Sequence, residues 1–146
     1  MTSIILIDPK YDHNVGAAVR AASCFGATQV LFTGNRVDVS SHRSKRLPRE
    51  ERMRAFRDVA WSRVERPFDM LDSGVTPVAV EIVPGAELLP QFEHPENAAY
   101  VFGPEDGTLP RAVLGQCYRF VRIPTIHCVN LGAAVYITLY DRMVKL

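Results

Sequence analysis

Short apolar, β-branched runs alternate along this chain with segments whose apolar positions repeat at helical spacing. Ser3–Ile7 reads as a buried first strand closed by Asp8-Pro9. A helix follows from Asn14 to about Phe25, with Val15, Ala18, Val19 and Ala22 as its apolar stripe, Asn14 as its cap and Gly26 as its stop. Gly16, Ala17 and Ala21 keep the rest of that helix small, which lets a neighbouring backbone approach closely. Gln29–Thr33 is the second strand, so strand, helix and strand make a right-handed parallel unit. Further on, Glu50–Arg57 has helical character, Val59–Trp61 is a short strand and Pro67–Leu71 a short helix ended by Gly74. Pro77–Val83 is a central strand with the polar Glu81 towards its C-terminal end, and Glu87–Phe92 a helical turn on the surface. Ala98–Phe102 and Phe120–Ile123 are two more strands, parted by a helix within Pro110–Cys117. The pattern closes on a helix, Leu131–Val144, capped by Asn130. The fold class expected is α/β, a mostly parallel sheet of five or six strands with helices on both faces, in a single domain over residues 1–146.

Composition narrows this little. Hydrophobic residues make up 47% and charged residues 23%, the mix of a soluble globular domain. No apolar run nears the ~20 residues that span a bilayer, and the first run is strand-length with no basic leader. The expected location is therefore cytoplasmic, away from membranes. Cys24, Cys117 and Cys128 lack paired spacing and the four histidines lack ligand spacing, so neither a disulfide framework nor a metal is expected.

Charge changes the picture more. The net charge is only +1, yet Arg36 to Arg66 holds ten Lys or Arg against five Asp or Glu. A basic island on an otherwise acidic chain suits phosphate contacts, with Arg43, Lys45 and Arg46 as candidate RNA-binding residues. It equally suits a solvated helix face on which Glu50 and Glu51 pair with Arg54.

Three constellations carry candidate chemistry, each weak alone. Asn14-Val-Gly16 opens a helix just after a strand, where sites in parallel sheets form, and Arg20 downstream suits a phosphate or carboxylate. Gly103-Pro-Glu105-Asp-Gly107 places a carboxylate between glycines after a buried strand, suited to orienting a hydroxyl or a cation. Ile123-Pro-Thr-Ile-His-Cys128-Val-Asn130-Leu131 is a loop that ends in a helix cap. Plain turns and caps account for each of them separately.

Their order and spacing resemble the three motifs of the SpoU (TrmH-like) branch of the SPOUT methyltransferases, in its minimal single-domain, TrmL-like form. Asn14, Gly16 and Arg20 match the first motif; Phe102, Gly103, Glu105, Leu109 and Pro110 match the second. Ile123, Pro124, Asn130, Leu131, Leu139, Tyr140 and Asp141 match the third, so the resemblance covers essentially the whole chain. It implies an S-adenosylmethionine-dependent RNA 2′-O-ribose methyltransferase with a C-terminal trefoil knot, acting on tRNA ahead of rRNA and needing no metal. It further implies a homodimer through the first and last helices, which the largely apolar Leu131–Val144 accommodates. Arg20 would act on the ribose hydroxyl, with Asn14, Glu105 and Asn130 orienting it. Val80, Gly103, Ile123, Cys128 and Leu131 would hold the cofactor, which leaves S-adenosylhomocysteine as product.

Three positions depart from the family pattern. Cys128 stands where the family usually has serine, exchanging a hydroxyl for a weak thiol donor. The loop from Pro124 to Asn130 is short for the family, and Gly107-Thr108 inverts the usual placement of the glycine directly before the leucine. A non-catalytic RNA-binding protein on the same fold is the competing reading. A flavodoxin-like nucleotide binder also fits the strand and helix pattern, but leaves the three motifs unexplained.

Overall fold

The computed structural model describes residues 1–38 and 59–146; Arg43, Lys45, Arg46 and the helical stretch expected over Glu50–Arg57 lie outside the described residues. Seven strands form one sheet: β1 (Thr2–Leu6), β2 (Gln29–Phe32), β3 (Ala60–Arg63), β4 (Thr76–Val80), β5 (Glu87–Leu88), β6 (Ala98–Phe102) and β7 (Arg119–Arg122). Their order is β3-β2-β1-β6-β4-β7-β5 and every pairing is parallel. Among the described residues the helices are α1 (Asp12–Phe25), α2 (Arg111–Leu114) and α3 (Leu131–Lys145), with 3-10 turns at Pro67–Met70 and Leu89–Gln91.

Both faces of the sheet are covered, which is why its strands read as continuous apolar runs. Ile4 and Leu6 of β1 face one buried cluster with Val15, Val19, Val135 and Leu139 of α1 and α3. Ile5, between them, faces the second cluster, with Leu109, Val113 and Phe68 on the opposite side. Each such side chain withdrawn from water contributes about 1.5–3 kcal/mol.

Two expectations need correction. The sheet has seven strands rather than five or six, because Glu87–Leu88 pairs with β7 where the pattern suggested the start of a helical turn. Two residues, one of them charged and exposed, carry no periodicity to read. Secondly, α1 begins at Asp12 with Tyr11 at its N-cap position and no side-chain cap, so Asn14 lies inside the helix and its amide is used elsewhere. The stop at Gly26 is as expected: its φ of 80° is left-handed and its N–H bonds Ala22 O. Strand limits elsewhere shift by one to three residues, as at β4.

Helix α3 lies against α1 and is tied down at both ends. At its start, a Cβ on Gly132 would come within 2.8 Å of Ala17 Cβ, so the two helices meet at their smallest residues. We expect Gly132→Ala to cost about 1–3 kcal/mol in urea unfolding, and Ala17→Gly in the same chain to recover much of it. At its other end, a polar network runs under the helix. Arg142 Nη1 donates to Tyr100 Oη (3.1 Å), whose proton then goes to His94 Nδ1 (2.6 Å), leaving His94 Nε2–H to donate to Asp141 Oδ2 (2.7 Å). Burial pushes the His94 pKa below its ordinary value, against the pull of Asp141. The neutral ring fits this chain of donors. Arg142 and Lys145 also reach backbone carbonyls between Leu89 and Glu96. No helix of the described residues is long and apolar enough to cross a membrane.

Candidate active site

Register fixes where the site lies. Leu6, Phe102, Val80 and Val121 stand abreast across β1, β6, β4 and β7. Beyond this row the chain leaves the sheet in loops on one edge, next to the point where strand order reverses, and ligands bind at such edges. Two adjoining hollows of about 170 and 130 Å³ open there. The larger is walled by Phe102, Gly103, Pro104, Glu105 and Leu131, the smaller by Ile82, Arg122, Ile123 and Thr125. Val80, Glu81, Cys128, Val129 and Ala134 border both. Larger hollows lie elsewhere, one of them about 330 Å³ between Thr33, Phe68 and Gln116, but none of the three motifs contributes to that one.

Behind the larger hollow, three motif residues form one hydrogen-bonded relay. Asn14 Nδ2 donates to Glu105 Oε2 (2.8 Å), Asn130 Nδ2 donates to Asn14 Oδ1 (3.0 Å), and Ala133 N–H donates to Asn130 Oδ1 (3.1 Å). A carboxylate at one end only accepts and a backbone N–H at the other only donates, so each amide has one workable orientation. Glu105 also accepts from the N–H groups of Lys10 (2.8 Å) and Tyr11 (3.1 Å). Partial burial opposes its ionisation, yet the hydrogen bonds from Asn14, Lys10 and Tyr11 together hold its pKa below the ordinary carboxylate value. Asn14 itself is 1% exposed, so the relay runs through a buried amide, with Glu105 half-buried at one end and Asn130 exposed at the other.

Next to Glu105, Asp106 takes a two-pronged contact from Arg36 (2.7 and 3.0 Å), and Arg36 Nη2 also donates to Asp8 O (2.6 Å). The Asp106 contact raises the Arg36 pKa and lowers that of Asp106. The turn after β2 is thereby tied to the Gly103–Gly107 loop. On the far side of that loop, Glu81 Oε2 accepts from Leu109 N–H and Oε1 from Ile82 N–H, both at 2.9 Å. Gly103 sits in the fold of this turn: a Cβ there would lie 3.2 Å from Leu109 N and 3.4 Å from Glu81 Oε2.

A model of the SpoU rRNA methylase family matches residues 1–140. The chain belongs to this family. The tRNA (cytidine-2′-O-)-methyltransferase TrmJ of Methanocaldococcus jannaschii is 27% identical over 160 residues, covering 99% of this chain and 68% of TrmJ. Among solved structures, the SpoU methyltransferase AviRb from Streptomyces viridochromogenes superposes with a TM-score of 0.83 at 19% identity, over 99% of this chain and 59% of AviRb. AviRb has also been solved with AdoMet. A structure bearing on the 2-OH methylation of C/U34 on tRNA gives 0.80 at 23% identity, over 99% of this chain and 95% of that one. This chain thus spans about three-fifths of the length of AviRb and nearly all of the latter protein.

Within the SpoU frame, the residues singled out from sequence fall into three groups. Val80 at the end of β4, Gly103 after β6, Ile123 and Cys128 after β7 and Leu131 at the start of α3 all wall the cleft. Asn14, Glu105 and Asn130 come together, but they bond to one another first. Arg20 lies half-buried on α1, about 9 Å further along the axis than Asn14 and turned about 120° from it, and it is not among the described residues lining the cleft. Sequence reading gave no role to Arg36, Asp106, Glu81 or Arg122. Only Glu81 left a signal, as the one charge in the run Thr76–Val83.

Proposed function

We propose that this SpoU-family protein methylates ribose 2′-hydroxyls in RNA, with S-adenosylmethionine as donor and tRNA as substrate. The observation that carries the reading is the convergence of Gly103, Ile123, Cys128 and Leu131, from two of the motifs, with Val80 at the end of β4 on one cleft, backed by the Glu105–Asn14–Asn130 relay. The cleft suits the donor chemically. Val80, Phe102, Ile123, Leu131 and Ala134 offer apolar walls for an adenosine, Arg122 a partner for a carboxylate, and Glu81 a partner for positive charge. Bound there, S-adenosylmethionine supplies an electrophilic methyl group. The protein contributes position, which is where most of the rate in such a transfer comes from. A guanidinium offers donors and no acceptor, so the role of Arg20 is to stabilise the forming alkoxide rather than to remove the hydroxyl proton, which passes to water. Asn14, Glu105 and Asn130 act through the geometry of the loops they join.

A homodimer completes the site in this reading. Ile137, Tyr140, Met143 and Val144 expose apolar surface along α3, continuous with Phe25 of α1, whose ring packs edge-on against Tyr136 and Tyr140. A second copy on that surface brings its own Arg20 towards the cleft that Arg20 does not line within one chain. The trefoil knot belongs to the same proposal, with α3 threaded back so that the loops after β6 and β7 clasp the donor. So do a single catalytic domain over residues 1–146 and a cytoplasmic location, where the RNA is. TrmJ and the C/U34 neighbour, the latter nearly co-extensive with this chain, favour tRNA over rRNA.

The test is incubation with labelled S-adenosylmethionine and separate tRNA and rRNA pools, followed by mass spectrometry of the nucleosides. A 2′-O-methylated nucleoside from tRNA is expected, and none from either pool overturns the assignment. The non-catalytic alternative rests on Cys128, an exposed thiol where the family has serine; calorimetry without measurable donor binding would favour it. Reversing the charges of Arg43, Lys45 and Arg46 should weaken tRNA binding about tenfold or more and lower its salt slope by about three. An unchanged slope makes the island a solvated face.

A further inference from the structure

We infer that Glu81 is the group by which the cleft distinguishes the charged methyl donor from its neutral product, an inference that rests on the donor chemistry proposed above. Glu81 follows β4 directly and stands in the wall common to both hollows, where its companions are three apolar residues and a cysteine. S-adenosylmethionine carries its sulfonium at the joint between its adenosyl and methionyl halves. A molecule spread across both hollows therefore sets its positive centre at their junction, beside this carboxylate.

The carboxylate is held for that task. Leu109 N–H and Ile82 N–H each donate to one oxygen at 2.9 Å, fixing it between the end of β4 and the loop after β6. One N–H per oxygen leaves the carboxylate further acceptor capacity, and Glu81 lines both hollows. Gly103 makes room, since a Cβ there would stand 3.4 Å from Glu81 Oε2. Arg122, walling the smaller hollow, has the opposite sign and suits the donor's carboxylate. Donor and product share that carboxylate, so Arg122 does not separate them. They differ in the sulfur: as the ribose oxygen–carbon bond forms and the carbon–sulfur bond breaks, its electron pair returns to sulfur and the sulfonium becomes a thioether. The attraction to Glu81 ends with the transfer, and the product is held less tightly than the donor.

The experiment is calorimetric titration of the full chain with S-adenosylmethionine, S-adenosylhomocysteine and sinefungin, in which a carbon bearing a charged amine replaces the methylated sulfonium. Glu81→Gln should weaken the two charged ligands about tenfold and the neutral one less than about threefold, whereas Glu81→Asp keeps the wild-type preference. Equal weakening of all three, or no weakening, overturns the inference. If Glu81→Gln does not fold, the wild-type protein still decides it. Its preference for the charged ligands should fall as ionic strength rises, and a salt-independent ratio overturns the inference. Failure of the wild-type protein to bind any of the three removes the donor reading itself, and this inference with it.

Discussion

Arg20→Ala should all but abolish methyl transfer, by about a hundredfold to a thousandfold, while the protein folds and binds S-adenosylmethionine as before. The size follows from the chemistry: a preorganised donor aimed at developing negative charge is worth about 10²–10³ in rate, and a ribose hydroxyl is a weak acid. Intact folding follows from position. Arg20 is half-exposed on α1, away from the buried stripe of Val15, Ala18, Val19 and Ala22. Intact donor binding follows because Arg20 is aimed at the ribose oxygen rather than at the donor, and is not among the described residues lining the cleft of its own chain. The measurements are single-turnover methylation of tRNA and donor titration by calorimetry. Near-normal turnover in the variant takes Arg20 out of the mechanism.

Glu105→Ala should cost about 3 kcal/mol of stability, read by urea unfolding at neutral pH. The change strips an acceptor from the buried Asn14 amide and from the N–H groups of Lys10 and Tyr11 together, and each charged hydrogen bond lost contributes about 1.5–3 kcal/mol before water compensates the exposed pair. Donor binding should fall too, since the Gly103–Gly107 loop loses its tie to α1. Acid supplies a second readout. The folded pKa of Glu105 lies below its ordinary value of 4.5, so its stabilisation is fully present above that value and is lost as pH falls through the folded pKa. The gap between wild type and Glu105→Gln should accordingly narrow as pH drops below about 4.5. A gap that stays constant to pH 3 would mean that Glu105 stabilises as shape rather than as charge.

How far residues speak for themselves depends on whether their partners are near in sequence. Asn130 reads correctly as a cap because its task is local: its Oδ1 meets Ala133 N–H three residues on. Asn14 presents the same local pattern, an amide before an apolar stripe, and the cap reading fails because its partner Glu105 is 91 residues away. The Ala98–Phe102 strand matches residue for residue, flanked by a polar loop and a Gly-Pro turn. Pro77–Val83 does not, because β4 stops at Val80 where the sheet ends, although the apolar run continues. Motif order alone grouped Gly103, Ile123, Cys128 and Leu131, and all four line the same cleft. The ties made by Arg36 and Glu81 were not legible: an arginine in a turn looks like any surface charge, and a lone glutamate in an apolar run marks a place without naming its partners, Leu109 and Ile82.

The two carboxamides between Glu105 and α3 have a chemical weakness that follows from their fixed orientation. Spontaneous hydrolysis of an asparagine to aspartate changes the outline of the side chain hardly at all. At Asn14 it would set one anion against another inside the protein; at Asn130 it would oppose two acceptors where one donor is required. An ageing molecule damaged at either position would keep its core and lose the architecture around its cleft, so loss of function would precede unfolding.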